Sequence, residues 1–400
     1  MLHLLSIILT FIALLAVLVI THELGHFLVA RFLGVKVEEF GFGFPPRVLG
    51  IAKIKRKNGK FRWVMLRKEK FLEKIKDRIV LPLYSINLIP LGGFVKIMGE
   101  DGESKNEPDS FAAQPVWKRF SILIAGIVMN FILGAFLFSL VFWLGVPEMV
   151  SDDDVVKDPK IQITDVVASS PAEKAGIQVG DVVKTLSFPG QEKIVVNKVS
   201  QMQSLSKDWA GSQIVVEVLR GNDIYRMSLE PRANPPEGQG ALGIELARTG
   251  IVKYSFLQSL KMGPQRAVQL TVMMANYLGD LVAKLVRSEK VKVDFSGPLG
   301  IVVITNQMKE MGFSYFLQFA AVISINLAFM NFLPFPALDG GRILFLLIEK
   351  IKGKPVSAKI EGTIHAIGLY LLLFLMILVT FKDFGRFQDK FAMIWEKIFR

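Results

Sequence analysis

Residues 4–26 read L-L-S-I-I-L-T-F-I-A-L-L-A-V-L-V-I-T-H-E-L-G-H, an apolar run without charge that ends in two histidines and a glutamate. A helix needs roughly 20 apolar residues to cross a bilayer, so this run predicts a membrane-spanning helix with a polar end. A secretory signal peptide is the alternative. No Lys or Arg precedes the run and no small-residue cleavage site ends it, so the spanning helix is favoured.

The composition agrees with a membrane protein that carries a soluble insert. Of 400 residues, 51% are hydrophobic and 21% are charged, and the mean hydropathy is +0.42. These values fit neither a disordered chain nor an ordinary soluble one. The chain has no cysteine, which excludes disulfides, thiolate nucleophiles and cysteine zinc ligands. Any metal site must therefore use histidines and carboxylates.

Hydropathy and charge together predict the topology. Four charge-free apolar stretches could span a membrane, namely residues 4–20, 120–146, 311–338 and 362–381. Residues 31–119 hold 19 Lys and Arg against 10 acidic residues, whereas residues 146–318 hold 19 of each. A basic surplus beside apolar spans follows the positive-inside bias, so the charge does not indicate nucleic acid. We expect residues 31–119 to be cytoplasmic, and both termini and the large insert to be extracytoplasmic.

A fifth apolar stretch, residues 79–95, is not predicted to span. It contains Pro82, Pro90 and the pair Gly92-Gly93, which break a helix. Non-helical backbone at membrane depth needs protein or a wet cavity around it. The stretch is therefore either a re-entrant hairpin or loop, or a β-hairpin lying on the cytoplasmic membrane surface.

His22-Glu23-Leu24-Gly25-His26 is an H-E-x-x-H match. Residues four apart share one helix face, so both imidazoles can bind one ion while Glu23 faces a water on that ion. Ionisable residues at the end of an apolar span are costly and usually functional. The motif therefore predicts a catalytic zinc site, in which three protein ligands leave one position open.

Asp339 is the candidate third ligand. It follows Pro334 and Pro336, and it is the only acidic residue between Glu310 and Glu349. The alternative is a helix N-cap for the segment that begins at Arg342. The first and third spans run in the same direction across the membrane, so the H-E-x-x-H motif and Asp339 fall at the same depth on the cytoplasmic side. This agreement in depth favours Asp339 as a metal ligand over Asp339 as an N-cap.

These residues resemble the site-2 protease family of intramembrane zinc metalloproteases, in particular the bacterial regulator-of-sigma-E protease type. The resemblance covers nearly the whole chain in order. It rests on the following motifs: H-E-L-G-H-F at 22–27, G-F-G-F at 41–44, I-P-L-G-G-F-V-K at 89–96, S-G-P-L-G-I at 296–301 and N-x-x-P-x-P-x-L-D-G at 331–340. Family members often carry Gly-Pro in the second span, where this chain has Gly126-Ile127 ahead of Asn130.

The resemblance implies a role for each matching residue. His22, His26 and Asp339 would bind Zn²⁺, Glu23 would be the general base, and Asn331 would help to hold the substrate. Residues 61–66 and 89–94 would form a membrane-associated β element that pairs with an unwound substrate. Its candidate substrate-binding residues are Ile89, Leu91, Gly92 and Gly93. The expected substrates are transmembrane segments of single-span proteins, such as anti-sigma factors or signal-peptide remnants, and the expected location is the bacterial inner membrane.

The insert is similar to one bacterial PDZ domain. Strand-like runs at 162–167, 182–186, 213–219 and 225–230 surround S-P-A-E-K-A-G-I-Q-V-G-D at 170–181 and a helix-like run at 198–208. PDZ folds bind extended peptides by strand addition. Residues 240–246 are either a strand, a carboxylate-binding loop or a surface turn. The domain would recruit substrate peptides or act as a size filter. Residues 253–287 are predicted to be an amphipathic helix against the membrane.

The fold prediction is therefore a polytopic α-helical membrane protein with four spans, a membrane-associated β element and one α+β PDZ-like domain. Its predicted parts are a first span with the motif (1–30), a β region with re-entrant loop (31–118), a second span (119–147), a PDZ-like domain (158–232), a linker with amphipathic helix (233–310), a third span with the aspartate (311–341), a fourth span (362–382) and a tail (383–400).

Two other functions remain open to the sequence. A membrane-anchored zinc peptidase acting on soluble proteins would keep its ligands outside the bilayer. A PDZ adaptor with a structural metal would not need Glu23, because Glu23 is not a ligand.

Overall fold

A computed structural model describes residues 2–55, 60–66, 79–102, 104, 106–221, 223–236, 238–289 and 297–399. The chain divides into two compact units, Met1–Ser139 with Leu260–Arg400, and Leu140–Ser259. Among the described residues the helices are α1 (Leu2–Phe32), α2 (Val116–Leu144), α3 (Pro171–Lys174), α4 (Val199–Asp208), α5 (Phe256–Val286), α6 (Pro298–Met311), α7 (Phe313–Phe332), α8 (Asp339–Lys352) and α9 (Ala358–Phe399). The strands are β1 (Val37–Lys55), β2 (Phe61–Leu66), β3 (Ile79–Ile97), β4 (Val146–Met149), β5 (Lys157–Val166), β6 (Val182–Ser187), β7 (Ile194–Val195), β8 (Ile214–Arg220), β9 (Asp223–Leu229) and β10 (Ile244–Val252).

Four helices of the described chain are long and apolar enough to cross a membrane, as the hydropathy predicts. They contain the segments Leu5–Phe32, Val116–Leu144, Phe313–Phe332 and Ala358–Asp383. The last of these buries few of its side chains against protein, and Ile367, Phe374 and Ile377 are all more than half exposed. A continuous apolar surface of this kind is stable in lipid and is rare on soluble monomers.

The third span ends earlier than the sequence predicts. Helix α7 stops at Phe332, Leu333 is extended, and a separate helix begins at Asp339. Pro334 and Pro336 lie between the two helices, where proline cannot donate to a helical hydrogen-bond ladder. Leu338 occupies the N-cap position of α8, so Asp339 is not the N-cap that the alternative interpretation required. At the chain end, backbone predicted as a tail after residue 382 continues α9 to Phe399.

The segment predicted as a re-entrant hairpin or surface hairpin is β3, which pairs with β1 in a three-stranded sheet of order β2-β1-β3. The register doubles back: Phe40 pairs with Val95 and also with Tyr84, and Tyr84 pairs in turn with Ile51. Both long strands therefore fold back on themselves, and their arms alternate across the sheet. Gly92 makes the fold in β3 possible because its φ of 91° is a conformation that other residues rarely adopt.

A single apolar core supports the end of the first unit that contains the H-E-x-x-H motif and Asp339. It is built from buried side chains of α1, the two long strands, α2, α7 and α8, including Phe27, Val37, Ile97, Ile122, Ala328 and Ile343. Gly25 lets α1 approach α2, because a Cβ there would collide with the Ala125 carbonyl oxygen. Burial of this apolar surface from several distant segments fixes how the helices stand around the sheet.

The second unit is built on a seven-stranded sheet of order β4-β10-β5-β6-β8-β9, with β7 paired to β6. Its core includes Ile161, Val183, Met202, Val216 and Val218, all almost fully buried. The strands and the helix predicted between 162 and 230 are present. The sheet extends beyond the bounds 158–232, however, because β4 and β10 join it from outside them.

Candidate active site

Helix α1 carries the two histidines and the glutamate of the sequence motif. It runs without interruption through His22, Glu23 and His26 to Phe32. Because residues four apart share a helix face, the imidazoles of His22 and His26 meet, with ring centroids 4.8 Å apart and Nε2 atoms 3.2 Å apart.

Asp339, in the first turn of α8, completes a three-atom cluster with these rings. Its Oδ2 atom lies 3.0 Å from His22 Nε2 and 3.3 Å from His26 Nε2. Ligand atoms about 2.0–2.1 Å from a tetrahedral zinc ion stand about 3.3 Å from one another. The three separations therefore match one face of a zinc tetrahedron. Among the described residues, Oδ2 is buried without a hydrogen-bond partner, as a metal ligand requires.

The charge of Asp339 also suits a cation. Burial by itself raises the pKa of this carboxyl group, but the neighbouring His22 and His26 lower it by more. The pKa of Asp339 consequently lies well below its ordinary value, and the group is ionised at neutral pH. An ionised carboxylate is the form that binds a divalent metal.

The tautomer of His26 is set by α2. Its Nδ1 atom lies 2.8 Å from the carbonyl oxygen of Ile122, so Nδ1 carries the proton and donates it to this carbonyl. The lone pair of Nε2 is therefore available and faces Asp339. A backbone carbonyl that orients a histidine in this way is the usual second partner of a metal-ligating imidazole.

Gly126 provides the space that the two imidazoles occupy. A Cβ at this position would collide with His26 Nε2 and would lie 2.8 Å from His22 Cε1. The sequence drew attention to residue 126 only as a departure from a family pattern. The structure shows that α2 is one continuous helix here and that the absence of a side chain is what the site needs.

Glu23 faces the edge of the three-stranded sheet. Gly93 brings β3 so close to α1 that a Cβ there would lie 3.5 Å from Glu23 Cγ. A cavity of about 530 Å³ opens beside these groups, lined by the histidines, Glu23 and Asp339 together with Phe44, Phe94, Arg342 and His365.

The residues predicted to bind substrate differ in how directly they border the cluster of His22, His26 and Asp339. Asn331 lines a second cavity of about 280 Å³ that it shares with His22, Glu23, Asp339 and Asn130. Gly93 approaches Glu23 so closely that only a side chain's Cβ would separate them. Gly92 lies at the fold of β3, Ile89 is 44% exposed on that strand, and Leu91 belongs to it by its backbone.

Sequence reasoning did not single out Asn130 or His365 as site residues. Asn130 is buried in α2, and its Oδ1 atom has no hydrogen-bond partner among the described residues. A polar residue inside an apolar span is the signal that would have found both of them.

The fold and the site define an integral-membrane protein with a zinc-metalloprotease centre, because H-E-x-x-H and an aspartate converge among apolar spanning helices. The model of Peptidase family M50 matches residues 10–67 and 71–375. The chain belongs to this family, the site-2 protease family, and it is a zinc-dependent metalloendopeptidase and a multi-pass membrane protein.

Similar proteins extend over almost the entire chain. A Clostridium acetobutylicum protein that carries the name zinc metalloprotease is 33% identical, over 92% of this chain and 94% of its own length. The regulator of sigma E protease of Haemophilus influenzae is 27% identical, over 94% of this chain and 98% of its own length. The regulator of sigma-W protease of Bacillus subtilis is 28% identical, over 95% and 98% respectively.

Proposed function

We propose that this metalloendopeptidase cuts transmembrane segments of single-span proteins within the bacterial inner membrane. The observation that carries the proposal is the convergence of His22, His26 and Asp339 beside helices long enough to span a bilayer. A peptidase for soluble proteins would need these ligands outside the spanning region. Here both histidines lie inside the apolar segment Leu5–Phe32.

The residues present fit a zinc ion, as the ligand separations and the buried Oδ2 atom of Asp339 indicate. When bound to His22, His26 and Asp339, zinc supplies Lewis acidity that acidifies the attacking water and polarises the scissile carbonyl. Glu23 is not a ligand in this arrangement. Its carboxylate takes the proton of the attacking water and later returns it to the leaving amine.

The sheet edge beside Glu23 supports the binding of an unwound substrate. Residues 93–97 of β3 pair with β1 on one side, and no strand of the described chain pairs with their other side. A helix must lose its own hydrogen bonds before its amides can be cut, and a strand edge offers replacements. We assign Gly93, Gly92, Leu91 and Ile89 to this binding segment.

Asn331 supports the same function from α7. Its side chain lines the smaller cavity together with Glu23 and Asp339. An amide side chain can both donate to a backbone carbonyl and accept from a backbone N–H. We propose that it holds the exposed backbone of the unwound substrate next to the scissile bond.

The substrate class follows from the relatives. Two similar proteins are regulators of sigma E and sigma-W by name. We propose that this chain likewise acts on membrane-bound anti-sigma factors or on signal-peptide remnants. The basic segment 31–119 supports a cytoplasmic β region, with both termini and the PDZ-like domain extracytoplasmic.

Replacement of Glu23 by Gln tests the proposal. We expect cleavage of a co-expressed single-span reporter to fall by about 10²–10⁴-fold, since the general base is lost. The purified variant should still hold about one zinc per chain, because all three ligands remain. Glu107→Gln, an exposed residue of the same unit, is the matched control and should cut normally. Undiminished cleavage in cells that hold Glu23→Gln would contradict the proposal and would instead indicate a metal-stabilised adaptor beside a different protease that cuts the reporter.

A further inference from the structure

The segment between α7 and α8 holds Asp339 in a conformation that it does not favour by itself. Ala337 has a φ of 76°, in the left-handed region that residues with a Cβ rarely adopt. Such a residue persists only where its surroundings determine it. Ala337 stands two positions before Asp339. The contacts that hold Ala337 therefore also fix the position of the Asp339 backbone, from which the carboxylate extends.

The fourth spanning helix, α9, contacts this segment at two points one turn apart. The N–H of Ala337 donates to Nδ1 of His365 at 2.8 Å. Three residues further along α9, a Cβ added to Gly368 would lie 2.5 Å from Pro336 Cβ, so glycine is needed for the close approach. Residues three apart share a helix face, so one face of α9 packs on the segment that leads to Asp339.

The hydrogen bond from Ala337 determines the tautomer of His365, and other contacts hold its ring. Because Nδ1 accepts, the neutral ring carries its proton on Nε2. That atom is buried, has no hydrogen-bond partner among the described residues and lies 4.0 Å from Glu361 Oε1. The ring also packs against Phe345 of α8, with the centroids 5.5 Å apart and the planes tilted by 50°, so His365 contacts both the segment and the helix that follows it. His365 also lines the cavity that contains His22, Glu23 and Asp339.

We propose that His365 is a positioning residue for the metal site: by accepting the N–H of Ala337, it holds the strained segment that presents Asp339 to the two histidines. This inference rests on the proposed function, in which Asp339 is a zinc ligand. Removal of the acceptor would release Ala337 from the left-handed conformation and leave its N–H buried without a partner.

Three substitutions at position 365 separate this role from simple packing. Asn places its Oδ1 where Nδ1 of histidine stands, Gln places its amide near Nε2, and Ala offers neither. In full-length protein in detergent, the rate of zinc transfer to a colorimetric chelator reports retention independently of activity. We expect His365→Ala and His365→Gln to lose zinc about 10- to 100-fold faster, the range for groups that orient metal ligands. His365→Asn should stay within about threefold of the native rate.

Two controls accompany these variants. Thr363→Val changes an exposed residue of the same helix whose hydroxyl bonds only within that helix, and it should leave the zinc rate unchanged. Asp339→Ala tests the ligand assignment in the same assay. Should Asp339→Ala retain zinc, the ligand assignment in the proposed function fails, and with it the premise of this inference, whatever His365 does.

The position-365 series decides the inference itself. Native zinc retention in His365→Ala or His365→Gln, with zinc lost in Asp339→Ala, would overturn it alone. An Asn variant as defective as the Gln variant would also overturn it, because the accepted hydrogen bond would then not be what matters. The Asn and Gln comparison remains decisive even where His365→Ala does not fold.

Discussion

At the scale of single residues, the imidazoles of His22 and His26 stand beside α2 in space that only glycine leaves open. A Cβ added to Gly126 would collide with both imidazole rings. A helix interior normally tolerates Gly→Ala and even gains from it by about 0.5–1 kcal/mol. At this position the local preference and the needs of the site are therefore opposed.

Gly126→Ala should lower the zinc affinity and the activity without unfolding the protein. The added methyl group must displace His26 Nε2, so we expect zinc affinity to fall by about 10- to 100-fold. Metal analysis after dialysis against a chelator measures this. Gly362→Ala is the matched control, since a Cβ there meets nothing within 4 Å. Equal zinc content in the two variants would contradict the packing argument.

Asp339→Asn should weaken zinc retention as well as cleavage, because a neutral amide is a much poorer ligand than a carboxylate. Stoichiometry in the purified variant is the measurement, and we expect well below one zinc per chain. Asp383→Asn supplies a control, since this buried carboxylate accepts from the Gly300 N–H far from the cluster and an amide oxygen can do the same. Unchanged zinc in Asp339→Asn would return the third ligand to an unidentified group.

At the scale of elements, the backbone of β3 lies close to side chains of α1. Gly93 of β3 makes this approach, because a Cβ there would stand 3.3 Å from Val19 Cγ1 of α1 and 3.2 Å from the Gly41 carbonyl oxygen of β1. The contact decides how Glu23 faces the strand that we propose for substrate, and it touches no metal ligand.

Gly93→Ala should therefore separate catalysis from metal binding. A displacement of the strand relative to Glu23 should reduce reporter cleavage by about 10-fold or more, since catalysis is sensitive to shifts of an ångström. Zinc content should remain about one per chain. Val80→Ala, at the far end of the same strand and partly exposed, should behave as native. Loss of zinc in Gly93→Ala would mean that the sheet supports the ligands as well.

At the scale of the whole molecule, the chain combines a unit that holds the site with a second unit that has its own core. We expect the second unit to act as a size gate. A deletion must remove the complete sheet, residues 146–252, because β10 pairs with β5 and β4 pairs with β10, so both strands would otherwise lose the sheet that they extend. With a flexible linker in its place, the zinc site should persist.

The gate is measured with paired reporters, one with its bulky outer domain and one already trimmed. We expect the deletion to accelerate cleavage of the bulky reporter and to leave the trimmed one unchanged. Slower cleavage of the trimmed reporter would instead indicate that the second unit recruits substrate through a newly exposed C-terminus.

Local sequence determined the spans and two of the three clustered side chains. Hydropathy is a property of consecutive residues, so four apolar helices could be read directly. Helical periodicity is equally local, and the spacing of His22 and His26 places both rings on one face. The third span was predicted to continue to residue 341, whereas its helix ends at Phe332 before the two prolines. The helix that follows begins at Asp339, earlier than the segment from Arg342 that the N-cap alternative required.

Tertiary structure decided the rest, because the remaining features depend on contacts between segments far apart in the chain. The doubled register of β1 and β3 follows from which arms meet, and no pattern within one strand specifies it. Gly126 is an ordinary apolar-span glycine until the imidazoles of α1 pack against it. His365 is one polar residue in a lipid-facing helix until the Ala337 N–H meets it. The sequence determines the chemistry of each side chain, but the fold determines which group that side chain contacts.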